Sequence, residues 1–179
     1  MVNASQDITT FPLGDSRRLF YLRNYEWALK MTFRYLGEYE VAVATVHDTF
    51  LRLFRSMGQA NLYGQTSDGR WVKEIFIKAA VNAALQGAAL DTTPIRAGHA
   101  QTYLWELTGR DGEEAGPSKY RNAIAQLLLL PLYPRLAYNI CIIEGCSGNE
   151  AARLLGITES QVTGHVQKAR ALLKNTMTN

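Results

Sequence analysis

The sequence contains very little cysteine, and this scarcity excludes several classes of protein. Only Cys141 and Cys146 are present among 179 residues, too few for the disulfide framework of a small secreted domain. No neighbouring histidine or second cysteine pair completes a zinc site, so two free thiols are expected. A phosphate-binding glycine loop, an H-E-x-x-H motif and a nucleophile elbow are also missing. We therefore expect no enzyme activity, no metal and no cofactor.

Long apolar runs and a large excess of one charge are absent as well. Apolar runs such as Leu127–Leu130, which ends at Pro131, are far shorter than a membrane span. The amino terminus has no apolar core of the kind found in secretion signals. We therefore expect no membrane insertion and a cytoplasmic location. The 19 basic and 16 acidic residues give a net charge of +3, which permits nucleic-acid binding without requiring it.

Helical periodicity of the apolar residues is the main feature that is present. Apolar side chains recur at spacings of three and four along most of the chain, and no segment alternates as a β-strand would. The predicted fold class is all-α. Helices are predicted at about 15–35, 40–57, 70–85, 118–130, 133–144, 148–155 and 159–174.

Glycine and proline are concentrated between the third and fourth predicted helices. This composition is typical of a linker between domains. We predict a helical domain at 1–90, a linker at 91–117 and a second helical domain at 118–179. The residues that indicate the linker are Pro94, Gly98, Gly109, Gly112, Gly116 and Pro117.

The segment Glu144–Leu173 has the most specific local pattern. Ser147 and Glu150 form an S-x-x-E capping box, and a T-x-x-Q box opens at Thr158. Gly156, between the two predicted helices, allows the backbone conformation that a sharp turn needs. The pattern predicts a helix-turn-helix whose second helix enters the major groove of DNA. An ordinary helical hairpin with a glycine turn is the alternative.

This order of parts resembles an extracytoplasmic-function sigma factor, the two-domain promoter-specificity subunit of bacterial RNA polymerase. In the amino-terminal domain, 46–56 is similar to the polymerase-binding helix of region two, and 69–85 to the helix that opens and reads the minus-ten element. The chain has Val46-His47-Asp48 where the family has V-Q-E. The carboxyl-terminal match is to region four, on Leu130, Pro131, Arg135, Glu144, Gly145, Ser147, Glu150, Leu155, Gly156, Ile157, Lys168, Ala169, Arg170 and Leu173.

The resemblance implies two partners, core RNA polymerase and promoter DNA, with an anti-sigma protein as a further candidate. Asn82 matches the family residue that contacts an extruded base, although a surface position without function is an equal alternative. Lys73 and Lys78 either touch phosphates or keep their helix face solvated. The implied polymerase contacts are Asp48, Phe50, Leu51 and Phe54. The implied contacts to the upstream DNA are Glu159, Gln161, Thr163, His165 and Lys168, with Arg135, Lys168 and Arg170 on phosphates.

Two other functions stay open at this point. One is a dimeric helix-turn-helix regulator, which the match in the amino-terminal domain disfavours. The other is a degenerate sigma-like protein that holds polymerase or another protein and hardly binds DNA. The small number of basic residues in the predicted recognition helix keeps the second alternative open, because phosphate contacts supply much of the affinity for DNA.

We expect limited proteolysis to cut the chain first within 91–118, because glycine- and proline-rich segments expose their backbone to proteases. Two protected fragments should result, one from each predicted domain, and mass spectrometry of the digest would locate the cuts. Early cleavage inside 40–57 or 147–170 would contradict the predicted domain boundaries.

Overall fold

A computed structural model describes residues 15–56, 70–89 and 116–177. Every regular element in these ranges is helical, so the prediction of an all-α fold is confirmed for them. The helices are α1 (Asp15–Leu36), α2 (Tyr39–Ser56), α3 (Arg70–Ala89), α4 (Gly116–Leu128), α5 (Leu132–Tyr138), α6 (Gly148–Leu155) and α7 (Glu159–Met177). A π-helical segment, Asn139–Ile143, continues α5.

The predicted linker lies outside the described residues, apart from Gly116 and Pro117, which begin α4. The division of the chain into separate domains therefore stays a prediction. We use "amino-terminal half" for α1–α3 and "carboxyl-terminal half" for α4–α7.

Aromatic packing builds the amino-terminal half. The ring of Phe50 on α2 lies 6.3 Å from Phe20 on α1 and 4.9 Å from Phe76 on α3, measured between ring centroids. Both contacts have the edge-to-face geometry that aromatic quadrupoles favour. The turn between α1 and α2 depends on Gly37, whose φ of 76° is in the left-handed region that suits glycine. These contacts join the three helices around one apolar centre.

A smaller set of apolar side chains holds α5, α6 and α7 together. Leu136, Ile140, Ala151 and Val162 are all buried. Ala152, half-buried on α6, is packed against the same cluster. Alanine side chains are small, and small side chains allow neighbouring helices to pack closely.

The apolar core continues from one half of the chain into the other. Buried Leu136, Ala137 and Ile140 belong to the same cluster as Phe33 and Phe76. Helix α3 contacts both α5 and α6, and α1 contacts α4. In this structure the two halves are therefore packed against each other.

The start of α6 is fixed by its capping box. The Ser147 hydroxyl oxygen accepts a hydrogen bond from the Glu150 backbone N–H at 3.2 Å, and the Glu150 carboxylate accepts one from the Ser147 backbone N–H at 2.8 Å. The Ser147 backbone N–H, and then the Ser147 hydroxyl, donate hydrogen bonds to the Glu150 carboxylate and lower the pKa of Glu150, while Arg153 and Arg70 contribute less. The other end of α6 is closed by Gly156 in the left-handed conformation.

Replacement of Ser147 by alanine should lower the free energy of unfolding by about 1 kcal/mol, because it removes an N-cap acceptor. Urea denaturation followed by circular dichroism measures this, with Ser160→Ala in the first turn of α7 as the matched control. A carboxyl group whose pKa is lowered by folding stabilises the fold at pH values above its pKa in the unfolded chain. This stabilisation is lost as the pH falls through the pKa of the folded state. The difference in free energy of unfolding between wild type and Ser147→Ala should therefore become smaller at acidic pH. An equal loss in both variants would contradict a specific role for the cap.

Candidate nucleic-acid and protein interfaces

Helix α7 turns an apolar stripe inwards and a polar face outwards. Val162 and Ala169 are buried, whereas Thr163, Gln167 and Lys168 are exposed. Gln167 was not among the predicted contacts, although it lies one helical turn after Thr163 and the periodicity alone would have identified it. An amide side chain carries a donor and an acceptor together, the combination that can pair with an adenine edge.

Two of the predicted contacts at the start of α7 are bonded within their own helix. The Gln161 side-chain oxygen accepts hydrogen bonds from the backbone N–H and the hydroxyl of Thr158, at 2.9 and 3.0 Å. The Thr163 hydroxyl donates to the Glu159 carbonyl at 3.1 Å. Both side chains are exposed. Gln161 could therefore offer its NH₂ group to a base without breaking the cap.

Glu159 and His165 each lie close to a neighbouring helix. The His165 ring stacks on Tyr133 of α5, with centroids 5.5 Å apart and planes inclined by 20°. The Glu159 carboxylate lies beside Gly148 at the start of α6, where a Cβ atom would be 2.8 Å from it. His165 is half-buried while Glu159 is exposed, and of the two Glu159 is the more accessible to a ligand.

The predicted phosphate contacts differ in their exposure. Lys168 and Arg170 are exposed on α7. Arg135 is buried, and its guanidinium donates a hydrogen bond to the Leu128 carbonyl at 3.0 Å. Burial lowers the pKa of Arg135 to about 10, because desolvation disfavours the charged form. In this structure Arg135 ties α5 to the end of α4 and is not accessible to a phosphate.

Helix α3 carries an exposed polar face. Lys78, Asn82 and Gln86 are exposed at intervals of four residues, while Val81 on the other side is buried. Asn82 therefore projects away from the core, as a contact to an extruded base requires. The half-buried residues beside it, Ala79 and Ala83, are small and leave space around its side chain.

The predicted polymerase contacts on α2 fall into two groups. Phe50 and Phe54 are buried, with 1% and 6% of their surface exposed. Leu51 is 47% exposed, and Asp48 is exposed and pairs with Arg52 at 2.8 Å. The two phenylalanines hold the amino-terminal half together, and only Leu51 and Asp48 lie on the surface that a partner could reach.

An aromatic group beside this surface was not predicted as part of a site. The His47 imidazole nitrogen Nε2 lies 2.9 Å from the Tyr21 hydroxyl, and its ring stacks on Tyr25 at 5.5 Å. Burial first, and then the neighbouring Tyr25, raise the pKa of Tyr21 to about 12. Tyr21 and Tyr25 are four residues apart on α1, a spacing that places them on one face.

A buried ionic contact joins the two halves of the chain. Glu144, at the end of the π-helical segment, has only 4% of its side chain exposed. Its carboxylate lies 2.5 Å from the Arg34 guanidinium of α1 and 3.0 Å from the Lys73 ammonium of α3. Lys73 also donates a hydrogen bond to the Glu144 carbonyl at 2.9 Å. We call these three side chains the Glu144 bridge.

The π-helical segment sets the position of Glu144. The Glu144 backbone N–H donates to the Asn139 carbonyl, five residues earlier, at 2.9 Å, so the chain is wider here than an α-helix. The Asn139 side chain donates to the Arg135 carbonyl at 3.0 Å. Gly145 follows with a φ of 74°, which redirects the chain towards α6.

Comparison with known proteins gives no family assignment. No protein-family profile matches this chain, and no curated protein matches it in sequence. Across residues 15–56, 70–89 and 116–177, no helix has the length and apolar character needed to cross a bilayer. The same ranges contain no group of three or more histidine, cysteine or acidic side chains that could hold a metal ion.

Proposed function

We propose that this chain is a sigma-type promoter-specificity subunit that binds core RNA polymerase and directs it to a class of promoters. The observation that carries the proposal is the pair α6 and α7. Both helices start at side-chain caps, Gly156 closes the turn between them, and α7 turns a polar face to solvent. A helix of this kind fits the major groove, where its exposed side chains reach base edges.

The exposed face of α3 supports a second contact with nucleic acid. Asn82 and Lys78 lie on the outer side of this helix, and the alanines beside Asn82 leave room for a base. Extrusion of a base from the stack costs a few kcal/mol, and hydrogen bonds to its edge offset that cost. In the proposed function Asn82 holds such a base in the melted minus-ten element.

The polymerase contact is proposed on the outer face of α2. Leu51 provides an exposed apolar anchor, and Asp48 provides a charge at its edge. Apolar anchors with a polar rim are typical of protein interfaces. Phe50 and Phe54 contribute by keeping α2 in place.

The alternative function is a degenerate sigma-like protein, or another helix-turn-helix transcriptional regulator, with weak DNA binding. One observation favours it. Of the predicted phosphate contacts, Arg135 is buried and Lys73 is engaged by Glu144, which leaves Lys78, Lys168 and Arg170 exposed. Each phosphate contact adds to the affinity for DNA. With only these three of the predicted phosphate contacts exposed, the free chain is expected to bind DNA weakly.

The proposal is tested by gel filtration of the full chain with purified core RNA polymerase, where the two should co-migrate. Leu51→Asp should abolish co-migration, since it places a charge in an apolar contact. Leu129→Asp is the control, because Leu129 is similarly exposed and lies in the carboxyl-terminal half, outside α2. Both variants should keep the wild-type circular dichroism spectrum.

Failure of the wild-type chain to bind polymerase would refute the sigma function. Equal binding by wild type and Leu51→Asp would instead refute the assignment of this face. A Phe50→Ala variant cannot make this distinction, because truncation of a buried phenylalanine costs about 3–5 kcal/mol of stability.

Asn82→Ala should keep the fold and the polymerase complex but reduce promoter melting or change the preferred base in the minus-ten element. The physical reason is the loss of the amide donor and acceptor. Permanganate footprinting of the melted strand measures this, with Gln86→Ala on the same exposed face as the control. Identical footprints for wild type and Asn82→Ala would show that Asn82 has no role in melting.

A further inference from the structure

The Glu144 bridge joins the two halves through a residue that the proposed DNA contact also needs. Lys73 on α3 is held by both the carboxylate and the carbonyl of Glu144. Two of the three donors of this ammonium group are directed at Glu144, and the carboxylate neutralises its charge, so the group is less available to a phosphate. The packed form therefore competes with DNA for Lys73.

The same packing holds the two proposed DNA-binding helix systems together. Helix α6, which precedes the proposed recognition helix, contacts α3, which carries Asn82. The positive charge of Arg70 on α3 helps to lower the pKa of Glu150 on α6. This is an attraction between the two halves in addition to the Glu144 bridge. Two promoter elements that lie apart along the duplex cannot be occupied by helices that remain in contact.

The polar groups between the halves are incompletely satisfied. The Arg34 Nε, the Tyr35 hydroxyl and the Asn139 Oδ1 are buried and have no hydrogen-bond partner among the described residues. Tyr35 lies near enough to Glu144 for that carboxylate to add to the effect of burial in raising the pKa of Tyr35. Buried polar atoms without partners cost free energy, and a buried ionic contact repays little beyond its own desolvation.

From these observations we infer that Glu144 is a latch that holds the chain in a closed form, and that the Glu144 bridge must break before the chain can occupy a promoter. This inference rests on the proposed sigma function. The latch joins Arg34, Lys73 and Glu144, so its opening frees Lys73 and separates α6 from α3. A partner that binds only the open form shifts the population towards it.

The test uses Glu144→Gln in the full chain, which keeps the size of the side chain and removes its charge. The first measurement is the radius of gyration by small-angle X-ray scattering, without polymerase or DNA. It should be larger for Glu144→Gln than for wild type. The control is Glu26→Gln, which removes an exposed carboxylate paired with Lys30 within α1 and should leave the radius unchanged.

The second measurement is the affinity for core polymerase and for promoter DNA in its presence. Glu144→Gln should bind at least about fivefold more tightly than wild type, the lower range of a typical coupling between two states. Arg34→Gln should act in the same direction but less strongly, because the contact between Lys73 and Glu144 remains. The double variant should add little to Glu144→Gln, because the change at Glu144 already removes the partner of Arg34. Circular dichroism checks that each variant is folded.

An unchanged radius of gyration in folded Glu144→Gln and Arg34→Gln would overturn the latch. Expansion without tighter binding, in a chain whose wild type binds polymerase, would also overturn it, since the closed form would then not restrain function. Expansion in a chain that binds no polymerase in any variant would support the latch and refute the sigma function. The two proposals therefore fail on different measurements.

Discussion

The contact between the π-helical segment and helices α1 and α3 is the constraint on which the rest of the structure depends. Leu136 and Ile140 supply the apolar part of this contact, and Glu144 supplies its ionic part. Removal of apolar surface from water stabilises the packed form. The charges of Glu144, Arg34 and Lys73 stabilise it only while the three side chains remain paired, because an unpaired buried charge is costly. The position of α6 and α7 relative to the amino-terminal half depends on this junction, together with the contacts of α3 with α6 and of α1 with α4.

Two of the cations predicted as DNA contacts are not available in this structure. Arg135 is used to hold the end of α4, and Lys73 is used to neutralise Glu144. A buried carboxylate without a partner would be strongly destabilising. Glu144 therefore needs cations beside it, whether or not those cations could also bind DNA. The charge that remains exposed on α3 and α7 is modest, and on the proposed function polymerase must supply much of the promoter affinity.

The two proposed partner surfaces differ in what supports them physically. On α2 the aromatic side chains face inwards and form the centre of the amino-terminal half, so Leu51 and Asp48 are left for a partner. On α7 the stripe through Val162 and Ala169 leaves a continuous polar face. The exposed face of α2 suits an apolar contact with a protein, and the exposed face of α7 suits the polar groove of DNA. Both agree with the proposal of a protein that bridges polymerase and DNA.

The sequence by itself determined the local structure: the all-α class, the helix positions, the cap at Ser147 and the turn at Gly156. These features depend on residues within a few positions of one another, and periodicity and capping act at that range. Only the tertiary structure decided which phenylalanines are buried, that Arg135 is a core residue, and that Glu144 meets Arg34, 110 positions away. Such pairings follow from how whole helices pack, and no local pattern encodes them. The exposure of Asn82 is an intermediate case. Helical spacing predicted which face of α3 carries Asn82, and only the packing of the helices determined that this face is exposed to solvent.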